Sequence, residues 1–245
     1  MPSKALILVM ALLSFLQVQA QIDRPGGKSI LYKNERNLGL MLHTHGKGLS
    51  VQFARHLKGD NYSLLDFNLY QLRHPKEYRR PDFQSRPYVF GKANAAFVLK
   101  ANFGRRFILA DRHHRNNIRI NFNVGAGPAL GILKPVYLKI RIPTPDGEKQ
   151  RYTPQKFDPE DPDQHEKIAG GSSPLLGIKE LQFMAGGNAK ASFSFEWGSY
   201  DYKYYSLETG VMLDAFPKDV AIFAYPENKR LFINIFLALS YGTRR

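Results

Sequence analysis

The chain has 245 residues, with 35 basic against 21 acidic side chains and no cysteine, which excludes a disulfide-stapled scaffold, thiol catalysis and cysteine-based metal sites. Beyond the N-terminus no apolar run approaches the roughly 18 to 20 residues of a transmembrane helix, so any membrane crossing falls to strands. The formal charge of +14 would suit a polyanion, but an export signal excludes nucleic acid and leaves lipid phosphates, or a solvated basic surface with no partner.

That signal comes first in the chain. Lys4 precedes the apolar run Ala5 to Leu16, and Val18-Gln19-Ala20 has the small-residue form of a secretory cleavage site. Residues 1–20 are read as a cleaved signal peptide, with Gln21 starting a mature chain of 34 basic and 21 acidic side chains. Residues 21–37 are expected as an N-terminal periplasmic segment, and 38–245 as one domain.

Turn residues divide that domain into eight strand candidates. The first two, Leu38 to Thr44 and Leu49 to Arg55, flank the tight turn His45-Gly46-Lys47-Gly48. The third, Tyr62 to Leu72, sets Leu65, Phe67 and Leu69 against Asp66, Asn68 and Tyr70, and a Pro- and Arg-rich loop, 74–87, follows. The fourth, Ala93 to Phe107, sets Ala95, Phe97, Leu99, Ala101 and Phe103 against Asn94, Lys100 and Asn102. After the basic turn Asp111 to Asn117, Ile118, Ile120, Phe122 and Val124 alternate with Arg119, Asn121 and Asn123. A bulge is expected at Gly125 to Gly131, with the same phase resuming at Val136, Leu138, Ile140 and Ile142, in a hairpin projecting beyond the bilayer.

The segment 143–187 carries six prolines, two glycine pairs and the acidic stretch Asp158 to Asp163, and is expected to bury no core of its own. Strand six is Ala189 to Trp197 and strand seven Tyr205 to Phe216; 217–229 leads to the last strand. There Leu231, Ile233, Ile235, Leu237, Leu239 and Tyr241 alternate with Phe232, Asn234, Phe236, Ala238 and Ser240. An apolar face opposite a polar one, in strand after strand, predicts an all-β fold, an eight-stranded antiparallel transmembrane up-and-down β-barrel with apolar outer and polar inner faces. Loops are long after strands three, five and seven and short after two, four and six, as a barrel with periplasmic termini requires. The mean hydropathy of −0.36 agrees, because every second residue faces inward.

The inward charges Asp66, Lys100, Arg119, Lys190, Glu196, Glu208 and Asp214, with His43 beside them, are expected to pair across a lumen just wide enough for side chains. Lys76, Arg79, Arg80 and Arg86, interleaved with Tyr78, Phe83 and Tyr88 and near His74, form a candidate contact for anionic lipid or an acidic partner. His43 and His45 have a spacing that can bind zinc, but no third ligand stands near. The acidic loop Asp158 to Glu166 lacks the spacing of a calcium loop. His113 and His114 diverge on an extended chain. Tyrosines 62, 88, 137, 200, 202, 204, 205 and 241, with Trp197, are expected in interfacial girdles. No cofactor is called for. A catalytic His43–Ser50 pair would need a third group the sequence does not place.

The stretch Gly127 to Leu138 (GPALGILKPVYL), with Leu213 to Lys218 (LDAFPK) and the closing Leu239-Ser240-Tyr241-Gly242, resembles small outer-membrane β-barrel proteins of Bacteroidota, OmpA-like in their barrel and distantly like the barrel of the Por (type IX) secretion system. The resemblance implies location and fold, and beyond them a non-enzymatic accessory or structural subunit of a secretion or barrel-assembly complex. Other readings are a stand-alone barrel that binds lipopolysaccharide or conducts small solutes, a lipid A-modifying barrel enzyme, and a soluble β-sandwich or lipocalin-like fold with the apolar strand faces inside.

Overall fold

Period-two patterning over stretches of 10 to 18 residues yields long strands. A computed structural model describes residues 32–73, 77–80, 86–111, 118–142, 151–198, 202–224 and 228–245. The expected signal peptide 1–20 and His74, Lys76, Phe83, His113, His114 and Tyr200 lie outside them.

In chain order the strands are β1 (Asn34–His43), β2 (Gly46–Lys58), β3 (Asn61–Leu72), β4 (Arg79–Arg80), β5 (Tyr88–Val89), β6 (Asn94–Ala110), β7 (Arg119–Pro135), β8 (Tyr137–Ile142), β9 (Arg151–Lys156), β10 (Ile168–Gly171), β11 (Gln182–Trp197), β12 (Lys203–Val220) and β13 (Lys229–Arg244). Eight of them close an antiparallel ring in the order β1-β13-β12-β11-β7-β6-β3-β2, so each barrel strand pairs with its sequence neighbours and β1 pairs with β13. Closure leaves no unpaired strand edge. The expected eight-stranded up-and-down barrel is borne out.

Four sequence-based boundaries move. β1 starts at Asn34, so part of the expected periplasmic segment 21–37 belongs to the barrel; Glu35 is held in the lumen by three guanidinium groups. The expected bulge at Gly125 to Gly131 is absent: β7 keeps one register against β11 from Arg119 to Leu133. The small residues there serve close strand approach instead. Gly104 faces Gly125 across the β6–β7 pair, and a Cβ on Gly104 would collide with the Val124 carbonyl oxygen.

The other two corrections concern the long connection. Val136 to Ile142 does not continue the membrane wall; β8 leaves the ring and forms a separate sheet in the order β10-β8-β9. Leu138 and Ile140, expected to face lipid, are buried with Phe157, and Tyr88, Phe90 and Ile168 pack against them. The 143–187 segment therefore contributes to a core after all. Its acidic stretch is ordered as well: Asp161 caps the helix α1 (Pro162–Glu166) by accepting from Gln164 N–H at 3.1 Å, with Pro162 at the first turn, where it costs no hydrogen bond. Gln164 then ties α1 to β9 through the Lys156 carbonyl at 3.1 Å.

Candidate functional site: a closed lumen and a basic cleft at the loop end

The barrel interior is filled in tiers. At the end with short turns, Glu35 accepts from Arg106, Arg119 and Arg244 at 2.8 Å each. Glu196 accepts from Asn121 at 2.8 Å, from Arg106 at 3.4 Å and from Arg244. Arg106, fully buried, also reaches Gln52 Oε1 and Asn123 Oδ1 at 2.9 Å. In the middle tier Lys190 bridges Asp66 at 2.7 Å and Glu208 at 2.9 Å, and Glu208 accepts from Ser192 at 2.5 Å and Gln52 at 2.6 Å. Above it Lys100 pairs with Asp214 at 2.9 Å and lies 4.7 Å from the Tyr70 ring centroid, while Tyr70 O–H donates to Asp214.

All seven inward charges read from the sequence are buried here. Sequence reasoning missed Glu35, Arg106 and Arg244, which it left to the N-terminal segment, to the unremarked end of a strand and to the C-terminal tail. With them, five buried carboxylates (Glu35, Asp66, Glu196, Glu208, Asp214) meet five cations (Lys100, Arg106, Arg119, Lys190, Arg244), and the half-exposed Asp111 stands 3.8 Å from Arg119 at the edge of the network. Such balance is what allows ionised groups to stay in a dry interior. Between Asp66, Asn102, Asn123 and Lys190 a void of about 10 Å³ remains, room for about one water.

Toward the loop end the lumen changes character. Met41, Tyr70, Leu72, Val98, Leu133, Met212, Phe216, Phe232 and Phe236 form one buried apolar cluster that continues into Ile222 of the β12–β13 connection. Beside the polar side chains expected on the inner face, a hydrophobic plug caps the ion pairs. Inward Phe232 and Phe236 belong to a core and not to a lipid face.

Outside, the pattern reverses. Leu38, Leu40, Leu42, Leu49, Phe53, Phe67, Leu69, Leu99, Phe103, Val124, Phe193, Val211, Ile233, Ile235, Leu237 and Leu239 are all exposed, a belt far larger than any soluble monomer leaves in water. The chain is a β-barrel of the outer-membrane type. The soluble sandwich or lipocalin-like alternative, which needs these faces inside, is thereby overturned. Among the described residues no helix is long and apolar enough to cross a membrane.

At the turn end Trp197, Tyr205 and Tyr241 lie side by side, with centroids 6.4 and 5.6 Å apart, as an interfacial girdle. Tyr202 is exposed near them. Tyr62 and Tyr204, also expected in the girdle, are instead buried in the lumen, where Tyr204 O–H donates to Asn37 at 2.5 Å. Tyr88 and Tyr137 belong to the loop-end region.

The candidate chemistry does not assemble. His43 and His45 both turn Nδ1 to Asn234 Oδ1, at 3.2 and 2.5 Å, and among the described residues no three His, Cys, Asp or Glu side chains cluster as metal ligands. Ser50 pairs across β1 with Gly39, four residues from His43, a separation of about 13 Å along the strand; its hydroxyl donates to Asp66 at 3.3 Å.

At the loop end, a cleft of about 190 Å³ opens between the barrel rim and the β8–β9–β10 sheet, lined by Gln71, Arg73, Glu77, Lys92, Lys134, Tyr137 and Ser172 among others. Lys92 pairs with Glu77 at 2.7 Å. Nearby, Glu180 joins Tyr137 O–H at 2.6 Å and Lys156 at 2.5 Å. Those hydrogen bonds hold the Glu180 carboxyl below its ordinary range and push the Lys156 ammonium above its own. Of the basic cluster expected to meet lipid or a partner, Arg79 and Arg80 form β4, paired with β5, and Arg86 is exposed and bridges Gly171.

Among solved structures the chain is similar to Neisserial surface protein A, NspA, at 6% identity over 86% of this chain and 96% of that one, with a TM-score of 0.41. It is also similar to Ail, the attachment invasion locus protein of Yersinia pestis, at 7% identity over 88% of this chain and 100% of that one, TM-score 0.41. No protein-family model matches the chain, and no curated protein does.

Proposed function

We propose that the protein is a non-enzymatic, non-conducting outer-membrane anchor that presents a folded loop-side platform, acting as an accessory or structural subunit of an envelope complex. The N-terminal export signal supports the location. One observation carries the role: the lumen is blocked by the ion-pair tiers and the apolar plug, while the β7–β11 connection builds a separate sheet with its own core outside the barrel. A sealed barrel offers no path for solutes. Its investment of sequence lies in the platform, which gives a partner an ordered surface.

The test has two arms. Reconstituted into planar bilayers, the protein shows no discrete conductance steps; steady ion current would return it to the pore class. Tagged and recovered from mildly solubilised envelopes, it brings stoichiometric partner proteins, and deletion of 137–180 abolishes that recovery while the barrel still folds. Recovery of the full chain alone would remove the subunit role.

A further inference from the structure

Two cations in the loop-end cleft have no acidic partner among the described residues. Arg73 donates through Nε and Nη2 to the Gln71 amide oxygen, at 3.2 and 3.1 Å, and Lys134 donates to the Pro174 carbonyl. Amide oxygens hydrate these groups without neutralising them. The cleft lining therefore holds Arg73, Lys92 and Lys134 against Glu77 alone. An anion with two or three acceptor oxygens suits such a lining, a guanidinium above all.

Strand parity says where the cleft opens. Even-numbered residues of β7 face outward, and Lys134 follows Leu130 and Ile132 on that face. It pairs with Ala95, while Leu72 pairs with Ala96, so Arg73 lies beside the same row just past the end of β3. Both cations thus stand on the outer wall, immediately above the apolar belt. Beside them the 174–178 turn exposes Leu175 (73%) and Ile178 (49%), and Phe183, opposite Ile132, is 64% exposed. Apolar side chains open to the surroundings next to unneutralised cations match an acyl chain joined to a phosphate.

We propose that this cleft, lined by Arg73, Lys134 and Ser172, is a headgroup site for a phosphate-bearing anionic lipid of the loop-side leaflet. Arg73 and Lys134 grip the phosphate, and Leu175, Ile178 and Phe183 lie along the acyl chains.

The test is native mass spectrometry of the full chain in detergent with three probes: bisphosphorylated lipid A, its dephosphorylated form and inorganic phosphate. The expected result is retention of phosphorylated lipid A, reduced about tenfold or more for each cation removed in Arg73→Gln and Lys134→Gln, and unchanged in Arg55→Gln, an outward arginine at the turn end. Heat-modifiable gel mobility verifies that each variant is folded. Should either variant fail to fold, loss of wild-type retention on raising salt from 50 to about 500 mM tests the same charges. Equal retention of the dephosphorylated lipid would overturn the phosphate site. Displacement by millimolar inorganic phosphate would overturn the lipid and leave a free-anion site. Retention of acidic protein in place of lipid would also overturn it. None of these outcomes bears on conductance or on co-purification, so the site and the anchor role stand or fall separately.

Discussion

Replacing Lys100 by Met exposes how the lumen is held together. The ammonium is fully buried and bonds Asp214 at 2.9 Å; apart from that it meets the Met212 sulfur at 3.4 Å and the Tyr70 ring. Lys100→Met leaves the Asp214 carboxylate dry with only the Tyr70 hydroxyl, and removing one partner of a buried pair costs about 3–5 kcal/mol. Asp214→Asn strands the ammonium at a similar cost. The double variant removes both charges and keeps an amide oxygen for Tyr70, so its cost falls to about 1–2 kcal/mol, a coupling of several kcal/mol. Urea unfolding in lipid bilayers, followed by the fluorescence of Trp197, the single tryptophan, measures all four corners of the cycle. Additive costs, with the double variant as unstable as the sum of the singles, would refute the view that this pair is a dry, mutually dependent unit.

Phe236→Ala opens the apolar plug and is expected to cost about 3–5 kcal/mol in the same assay, with water permeation into the loop half of the lumen seen by hydrogen exchange. Gly104→Val, whose Cβ would strike the Val124 carbonyl, prevents closure and leaves the chain in the unfolded gel band. Gly187→Ala, at a position with nothing within 4 Å of the new Cβ, folds normally. The Tyr137–Glu180–Lys156 contact is pH-bounded on both sides. The depressed Glu180 contributes above the ordinary carboxylate range and is lost as pH falls through its folded value; the raised Lys156 contributes below the ordinary lysine range and is lost as pH rises through its folded value. Protection factors at 151–156 and 178–180, which divide out the intrinsic exchange rate, are therefore highest near neutrality and fall as pH drops below the ordinary carboxylate range, and Glu180→Gln flattens that acid limb.

Strand phase was legible because lipid enforces it: every exposed position of β13 from Leu231 to Leu239 is apolar, so one residue of slip would bury the wrong set. The same parity, carried four residues past Asn102 in β6 and four past Ser240 in β13, would have found Arg106 and Arg244, and carried below Leu38 it would have found Glu35. These were missed because ends of strands were judged by hydrophobicity, which vanishes where the wall leaves the bilayer. Missing them left the lumen at four carboxylates against three cations, when the structure balances five with five. Tyr62 and Tyr204 were misplaced because proximity to a strand end does not specify inside or outside, whereas their even numbers, shared with Asp66 and Glu208, do. The platform was not legible at all. Its core joins Leu138 and Ile140 to Phe157, Ile168 and Phe90 across turn-rich sequence, and no local period announces pairs so far apart.

A lipid-facing wall surrounds a filled lumen, and the absence of native cysteine makes a direct measurement of both simple. Single cysteines placed along residues 231–240 of β13, spin-labelled and reconstituted in bilayers, report oxygen and aqueous relaxation agents separately. Positions 233, 235, 237 and 239 are expected to be open to oxygen and shielded from the aqueous agent, while 234, 236 and 238 exclude both. Odd positions shielded from oxygen, or even positions open to the aqueous agent, would contradict the account.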